Sequence, residues 1–186
     1  MLDLDDPLWR NLRHAHGTAA SYPSLLRQLL ADAKNDADLD DDLMESICDI
    51  CHQYSTYDST IAAVPHLIFI ASEASIESSI RKFLVSLLSV AIAGIILDKT
   101  SATRDLVAHF DASLTRANLL ALESLASATA REDRCAAFAL LNAASADPEF
   151  AGALTGFLRN SLQCSSCYQF LRPINLLNPF DGGKKT

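Results

Sequence analysis

The sequence has little of what a nucleic-acid-binding protein or a disordered chain needs. Of its 186 residues, only 15 are Lys or Arg against 23 Asp or Glu, which gives a formal net charge of −8. Because affinity for nucleic acid comes mainly from basic side chains that neutralise phosphates, this balance argues against a nucleic-acid partner. Charged residues make up only 20% of the chain and hydrophobic residues 49%, a mixture that excludes an intrinsically disordered protein.

The chain also lacks a long hydrophobic run and an export signal. Its most apolar stretch, 83–97, contains two serines and a glycine and is shorter than the roughly 20 residues that cross a membrane. We therefore expect a helix buried inside a soluble protein. The acidic start of the chain does not have the basic, then apolar, order of a secretory signal. These features predict a cytoplasmic protein with no membrane partner, whose five cysteines remain thiols.

Hydrophobic residues recur at helical spacing through most of the sequence, and none of it has the convincing alternation typical of a strand. Leucines at 25, 26, 29 and 30 follow Pro23, which is tolerated in the first turn of a helix. Another helix is predicted around Pro65, which should kink it or make it restart because proline removes a backbone donor. Further apolar stripes lie at 39–50, 76–88, 106–110, 119–125, 135–141 and 150–158.

Short motifs mark two helix starts in the second half of the chain. Thr129 and Glu132 have the spacing of a capping box, in which each side chain satisfies a free backbone N–H group at the helix N-terminus. Asp147 followed by Pro148 combines a capping residue with a proline in the first turn. The stripes at 106–110 and 119–125 predict two separate short helices, which brings the total to roughly eight helices.

Two all-α architectures fit this pattern: a short α-solenoid of HEAT- or armadillo-like helix pairs, or a closed helical bundle. A loose repeat favours the solenoid, because Tyr22-Pro23 recurs in character as Val64-Pro65, 42 positions later, which is about the length of one such unit. We expect a single domain over residues 1–172. Breakers from Pro173 onward predict an irregular tail over residues 173–186.

A series of motifs in the first part of the chain is similar to a known family. The motifs are Trp9-x-x-Leu12-x-His14-Ala15-x-Gly17, Pro23-x-Leu25-Leu26, His52-Gln53, Tyr57 and Ala63-Val64-Pro65. Over about residues 9–72, their order resembles that of uncharacterised bacterial HEAT-repeat-like (armadillo-type) proteins with a Trp…His-Ala-x-Gly and a His-Gln-Gly-Thr-x-Tyr…Ala-Val-Pro element. The resemblance implies an all-α, armadillo-type fold without established catalytic activity. Tyr54 and Ser55 replace the family's Gly and Thr, a departure that argues against a glycine-dependent turn there.

The residues that carry this resemblance form our candidate functional site: Trp9, His14, Gly17, His52, Gln53 and Tyr57. In stacked helices such elements fall at the ends of successive helices, where they could meet along one groove that binds a partner. Two other interpretations stay open. The histidines would tie neighbouring turns together through hydrogen bonds to backbone carbonyls, or they would serve as a general base or as metal ligands.

Two Cys-x-x-Cys pairs, Cys48/Cys51 and Cys164/Cys167, have the paired spacing of zinc ligands. The segment 48–52 also has the Cys-x-x-Cys-His pattern of c-type haem attachment, which occurs outside the cytosol. Because Cys48 and Cys51 lie one helical turn apart in an apolar stripe, we favour core packing, in which cysteine acts as a small hydrophobic residue. We therefore expect no metal and no cofactor.

An aspartate cluster between 32 and 42 suggests calcium, but an EF-hand loop from Asp36 would need Gly at its sixth position and Glu at its twelfth. Those positions hold Asp41 and Ile47, so the motif fails. The cluster is instead typical of a solvated turn whose acidic residues cap the next helix and interact favourably with its dipole.

These features together predict a non-catalytic protein-interaction module that binds a basic protein partner. One concrete form is an immunity-type inhibitor that covers a basic toxin domain. The alternatives come from other classes, because a fold does not fix a function. One is an enzyme on a HEAT-like fold, of the DNA-base repair or bilin-attachment type. The other is a small-molecule or lipid carrier with a pocket under the helix at 83–97.

Overall fold

The computed structural model of the chain describes residues 1–50, 56–98 and 102–153. Six α-helices lie wholly within those ranges: α1 (Tyr22–Lys34), α2 (Asp41–Cys48), α3 (Asp58–Glu73), α4 (Ser79–Leu97), α5 (Arg104–Ser127) and α6 (Arg131–Ala144). Before α1 come two 3₁₀ helices, Pro7–Arg10 and Ala19–Ser21, and two short strands, β1 (Arg13–His14) and β2 (Gly17–Thr18). The all-α prediction is confirmed. The small hairpin was missed because two-residue strands have no alternation to detect.

Three predicted helix starts are confirmed. Helix α1 begins at Tyr22 with Pro23 in its first turn. Helix α2 follows Asp40, whose carboxylate accepts two N–H groups of the first turn at 3.0 and 3.1 Å, so the acidic cluster does cap the next helix. Helical backbone also runs from 148 to 153 after Asp147, whose carboxylate accepts two N–H groups at 2.9 and 3.3 Å. The predicted tail and the domain boundary at 172 lie outside the described residues.

The sequence predicted a kink or a restart of the helix at Pro65. Helix α3 continues through this residue and does not restart there. Proline cannot donate to the carbonyl four residues earlier, but nearly every residue of α3 from Ser59 to Ala71 is buried. Apolar burial along the whole helix outweighs one missing hydrogen bond. The two prolines of the loose repeat therefore occupy different positions, since Pro23 lies in a first turn and Pro65 lies well inside a helix.

Two further predictions about the second half are wrong. The stripes 106–110 and 119–125 belong to one continuous helix, α5, because Leu114 and Ala117 between them also pack against the core. Helix α6 begins at Arg131, its N-cap is Ala130 and no side chain caps it. The helix starts one residue later than the capping box requires, so Glu132 stands at the second helical position instead of the third.

Helix α4 contains the apolar stretch and extends it to 19 residues. By length and composition it is the one helix in the described ranges that could cross a membrane, and 72% of its most apolar window is buried inside the structure. Its burial agrees with the prediction of a core helix.

Helix α3 occupies the centre of the packing. It contacts α1, α4, α5 and β1, while α6 packs against both α4 and α5. Buried residues from Leu2 to Ala151 form one hydrophobic cluster. The N-terminal elements are thereby placed on one side of α3, where most of the candidate site lies.

Candidate functional site

Trp9 lies in the first 3₁₀ helix, which begins after Asp6, and the Asp6 carboxylate accepts the N–H of Leu8 at 2.8 Å. The indole is 1% exposed, and its Nε1–H donates to the carbonyl of Asp3 at 2.9 Å. Its ring lies 6.4 Å from that of Tyr22 and 6.0 Å from that of His66, centroid to centroid. Trp9 thus anchors the start of the chain in the core.

Gly17 stands in the hairpin, where β1 and β2 pair antiparallel with His14 opposite Gly17. Its φ angle is +148°, a backbone conformation that residues with a Cβ rarely adopt. A Cβ at this position would meet no atom within 4 Å. The glycine is therefore required by backbone conformation and not by lack of space.

His14 is held within the same hairpin. Its Nε2 lies 3.1 Å from the carbonyl oxygen of Thr18, and its Nδ1 accepts the backbone N–H of His16 at 3.4 Å. This pattern fits the neutral tautomer that carries its proton on Nε2. The ring also lies 5.2 Å from the ring of Tyr22. In this geometry His14 ties neighbouring turns together.

Tyr57 is the N-cap residue of α3. Its backbone N–H donates to the hydroxyl of Thr60 at 3.0 Å, and that buried hydroxyl in turn donates to the carbonyl of Ile50. Asp58 accepts the N–H of Arg13 at 2.6 Å through its carboxylate. The first turn of α3 therefore connects the end of α2 with the hairpin.

His52 and Gln53 lie outside the described residues. Of the remaining four predicted residues, Trp9 and His14 both lie beside the ring of Tyr22. Tyr22 thus links these two residues, and sequence reasoning missed it. The available signal in the sequence was that Tyr22 directly precedes Pro23. A residue before a first-turn proline is common at helix starts and indicates no further role.

The hydroxyl of Tyr22 is buried in the interior of the protein. Burial raises the pKa of this phenol, and the nearby Asp49 carboxylate raises it further. The Ser59 hydroxyl opposes this shift in pKa, yet no hydrogen bond of acceptable geometry joins the two. Within the described chain both hydroxyls are buried without a hydrogen-bond partner. Such groups cost free energy because they lose water without replacing it.

His66 was likewise not placed in the site by the sequence. Its ring is buried beside Trp9, and its Nε2 lies 2.8 Å from the carbonyl oxygen of Leu2. Burial lowers the pKa of His66, and the hydrogen bond to Leu2 opposes that shift. The neutral ring donates to this carbonyl and fixes the first residues of the chain on α3.

Cys48 is buried on the apolar face of α2, as the core-packing interpretation predicts. Cys51, Cys164 and Cys167 lie outside the described residues. In the ranges that the structure describes, no group of three or more His, Cys, Asp and Glu side chains is placed to hold a metal ion.

The part of the site that the structure describes is therefore a network that joins short N-terminal elements to α3. No family model, curated protein or solved structure matches the chain.

Proposed function

We propose that the protein is a non-catalytic binding module, built as a short α-solenoid of the HEAT or armadillo type, which holds a basic protein partner. The helix contacts support stacked pairs: α3 packs on α4 and α5 on α6, while α3 also packs on α5 and α4 on α6. In such a stack, like helices of successive pairs form two layers and leave an extended surface for a partner. The resemblance of residues 9–72 to HEAT-repeat-like proteins suggests the same architecture.

The distribution of charge along the chain supports a basic protein as the partner. The N-terminal region, defined as residues 1–57 up to the N-cap of α3, has eleven acidic and four basic residues. Residues 58–186 have twelve acidic and eleven basic residues. Seven of the eight net negative charges therefore belong to the N-terminal region. A concentrated field of one sign attracts an oppositely charged partner and speeds its association.

Most of this charge lies in one acidic segment, residues 36–45, which connects α1 to α2 and includes the start of α2. Its acidic residues are exposed: Asp36, Asp38, Asp40, Asp41, Asp42 and Glu45. None of them forms an ion pair with a residue in the described ranges. Carboxylates that repel each other and lack a cationic neighbour favour the approach of Lys and Arg side chains from another protein.

Only part of the acidic segment has a role in the fold. Asp40 caps α2, and Asp41 and Asp42 stand in its first turn, where negative charge favours the helix dipole. Asp38 and Glu45 have no such role, and Asp36 accepts only an exposed hydrogen bond from Ser75. These three side chains can be neutralised while the cap is kept.

The test compares two variants with the same change in net charge. The acidic-segment variant carries Asp36→Asn, Asp38→Asn and Glu45→Gln. The control variant carries Asp98→Asn, Asp105→Asn and Glu149→Gln in the helical body, defined as the chain from Asp58 onward. Each full-length protein is immobilised and exposed to native cytosol, and the retained proteins are identified by mass spectrometry. We expect the wild type and the control to retain a basic protein that salt of about 0.5 M releases, because such salt shortens the screening length to a few ångströms.

The acidic-segment variant should retain about tenfold less of that protein, since loss of steering lowers association by 10-fold or more. Retention of only neutral or acidic proteins, or equal loss in both variants, would contradict the proposal. The narrower form, an immunity-type inhibitor, predicts in addition that the captured partner is toxic when expressed alone and harmless when expressed with this chain.

A further inference from the structure

A second candidate site lies in a cleft between the starts of α4 and α6 and the end of α5. The acidic segment contacts the start of α4, where the N–H of Leu39 donates to the hydroxyl of Ser79 at 3.4 Å. The cleft is open to solvent on one side. Its lining combines two cations, Arg81 and Lys82, two acidic residues, Glu77 and Asp133, three hydroxyl-bearing residues and an apolar wall that includes Ile76 and Val85. A polar end beside an apolar wall is typical of sites for small amphipathic ligands.

Arg81 forms the fixed positive charge of the cleft. Its side chain is 4% exposed, and its NH2 group donates to the carboxylate of Glu123 at 2.9 Å. The other contacts are long, at 3.4 Å to the hydroxyl of Ser124 and 3.5 Å to the carbonyl of Ala74. Its one charged partner in the described chain, Glu123, is 60% exposed. A buried guanidinium therefore depends on a counter-ion that is mostly in water.

Lys82 places a second positive charge at the cleft, and its own partners are loosely held. Its Nζ lies 3.3 Å from Glu77, whose side chain is 79% exposed, and 4.0 Å from Asp133. Ion pairs of this kind contribute little because water screens them. The N-terminus of α6 also lies here without a side-chain cap, so its free N–H groups add positive potential. Arg81 is thus the buried cation of the cleft, whereas the carboxylates of Glu123 and Glu77 that pair with the two cations are mostly exposed.

We propose that this cleft binds a small aliphatic carboxylic acid, whose carboxylate takes the place of Glu123 on Arg81 while its chain lies against Ile76 and Val85. Arginine donates to a carboxylate through two parallel N–H groups, and the contacts above use only three of the five N–H donors of Arg81. Lys82 completes the charge around the bound carboxylate.

The first experiment uses hexanoate as the probe, with hexanamide and hexylamine as its neutral and cationic counterparts of the same length. Each is titrated into the full chain while backbone amide shifts are followed by NMR. We expect saturable shifts with hexanoate in the first turns of α4 and α6, and at least tenfold weaker binding of hexanamide. Equal binding of all three probes, or the absence of saturable shifts with hexanoate, overturns the proposal.

The second experiment uses Glu123→Gln, which removes the acid that competes for Arg81. If Glu123 only stabilises the fold, this variant lowers the melting temperature and leaves hexanoate affinity unchanged, which overturns the proposal. If the ligand carboxylate replaces Glu123, the variant binds hexanoate several-fold more tightly. Hexanoate then raises the melting temperature of the variant by more than it raises that of the wild type. Arg81→Gln tests the anchor directly but risks unfolding, because Arg81 is buried.

Lys82→Gln therefore provides the milder variant, since that side chain is 43% exposed. We expect it to weaken hexanoate binding about three- to tenfold with little change in melting temperature. Lys34→Gln is the matched control, because Lys34 is an exposed lysine at the end of α1, and it should leave hexanoate affinity unchanged. Equal affinities for Lys82→Gln and the wild type would contradict the role of Lys82.

Discussion

In the N-terminal region, single polar contacts add to the apolar packing of short elements and α1 against α3, whereas in the helical body, from Asp58 onward, long apolar faces pack against one another. The first residues depend on the Trp9 indole and the His66 ring, and the end of α2 depends on the Thr60 hydroxyl. By contrast, α3 and α4 are buried along most of their length. Both regions share one apolar core, and the negative charge of the N-terminal region lies mostly on exposed side chains of the acidic segment.

This difference predicts the largest loss of stability in the helical body. Leu88→Ala removes a fully buried side chain from α4 and should lower the free energy of unfolding by about 2–5 kcal/mol, through lost apolar burial and the cavity left behind. Leu119→Ala is the matched control on α5, where the side chain is 56% exposed, and should change it by about 0.5 kcal/mol or less. Urea titration measures both. Similar losses for the two variants would contradict the assignment of the core.

A smaller loss is expected where the two regions meet. Thr60→Val keeps the shape of the side chain but removes the hydroxyl that bonds Ile50 and Tyr57. Since the carbonyl of Ile50 then loses a buried partner, we expect a loss of about 2 kcal/mol in the free energy of unfolding. Thr60→Ser keeps the hydroxyl and should cost about 1 kcal/mol for one methyl group. The interpretation fails if the serine variant is the less stable of the two.

The link between His66 and Leu2 should depend on pH. Because burial lowers the pKa of His66 in the folded state, the unfolded chain binds the proton first as the pH falls. The free energy of unfolding should therefore decrease as the pH falls below about 6.5, by at most about 1.4 kcal/mol per pH unit, until the folded pKa is passed. Urea titrations between pH 5 and 7.5 measure this slope, and His66→Gln should reduce it. An identical slope in that variant would assign the effect to other groups.

The sequence predicted where helices of this fold begin better than it predicted how the helices pack against one another. Pro23, Asp40 and Asp147 mark helix starts because a cap or a first-turn proline acts on its immediate neighbours. At Pro65 the sequence could not decide between a kink and a restart, since burial of α3 by other helices decides whether the helix continues through an internal proline. The two stripes of α5 were separated for the same reason, because packing of α5 on the core continues between them through Leu114 and Ala117.

The candidate site was predicted only through its motif residues. Trp9, His14 and Gly17 are conspicuous in sequence, but Tyr22 and His66 acquire their roles from neighbours that lie far along the chain. His66, for example, contacts the carbonyl of Leu2, 64 residues earlier. No local pattern encodes such a contact, because a backbone carbonyl is the same at every position. Charge segregation, in contrast, is visible in the sequence because it needs only a count along the chain.

The smallest change in the free energy of unfolding is expected for the Tyr22 hydroxyl in the N-terminal network. Its removal shows whether this hydroxyl stabilises the fold. Tyr22→Phe removes a buried hydroxyl that has no hydrogen-bond partner in the described residues and keeps the ring between Trp9 and His14. Removing an unsatisfied polar group should leave the free energy of unfolding unchanged or raise it by up to about 1 kcal/mol. Ser59→Ala tests the facing hydroxyl in the same way. A loss of about 1 kcal/mol or more in urea titration of either variant would mean that the hydroxyl has a partner after all, and the double variant would show whether the two hydroxyls share it.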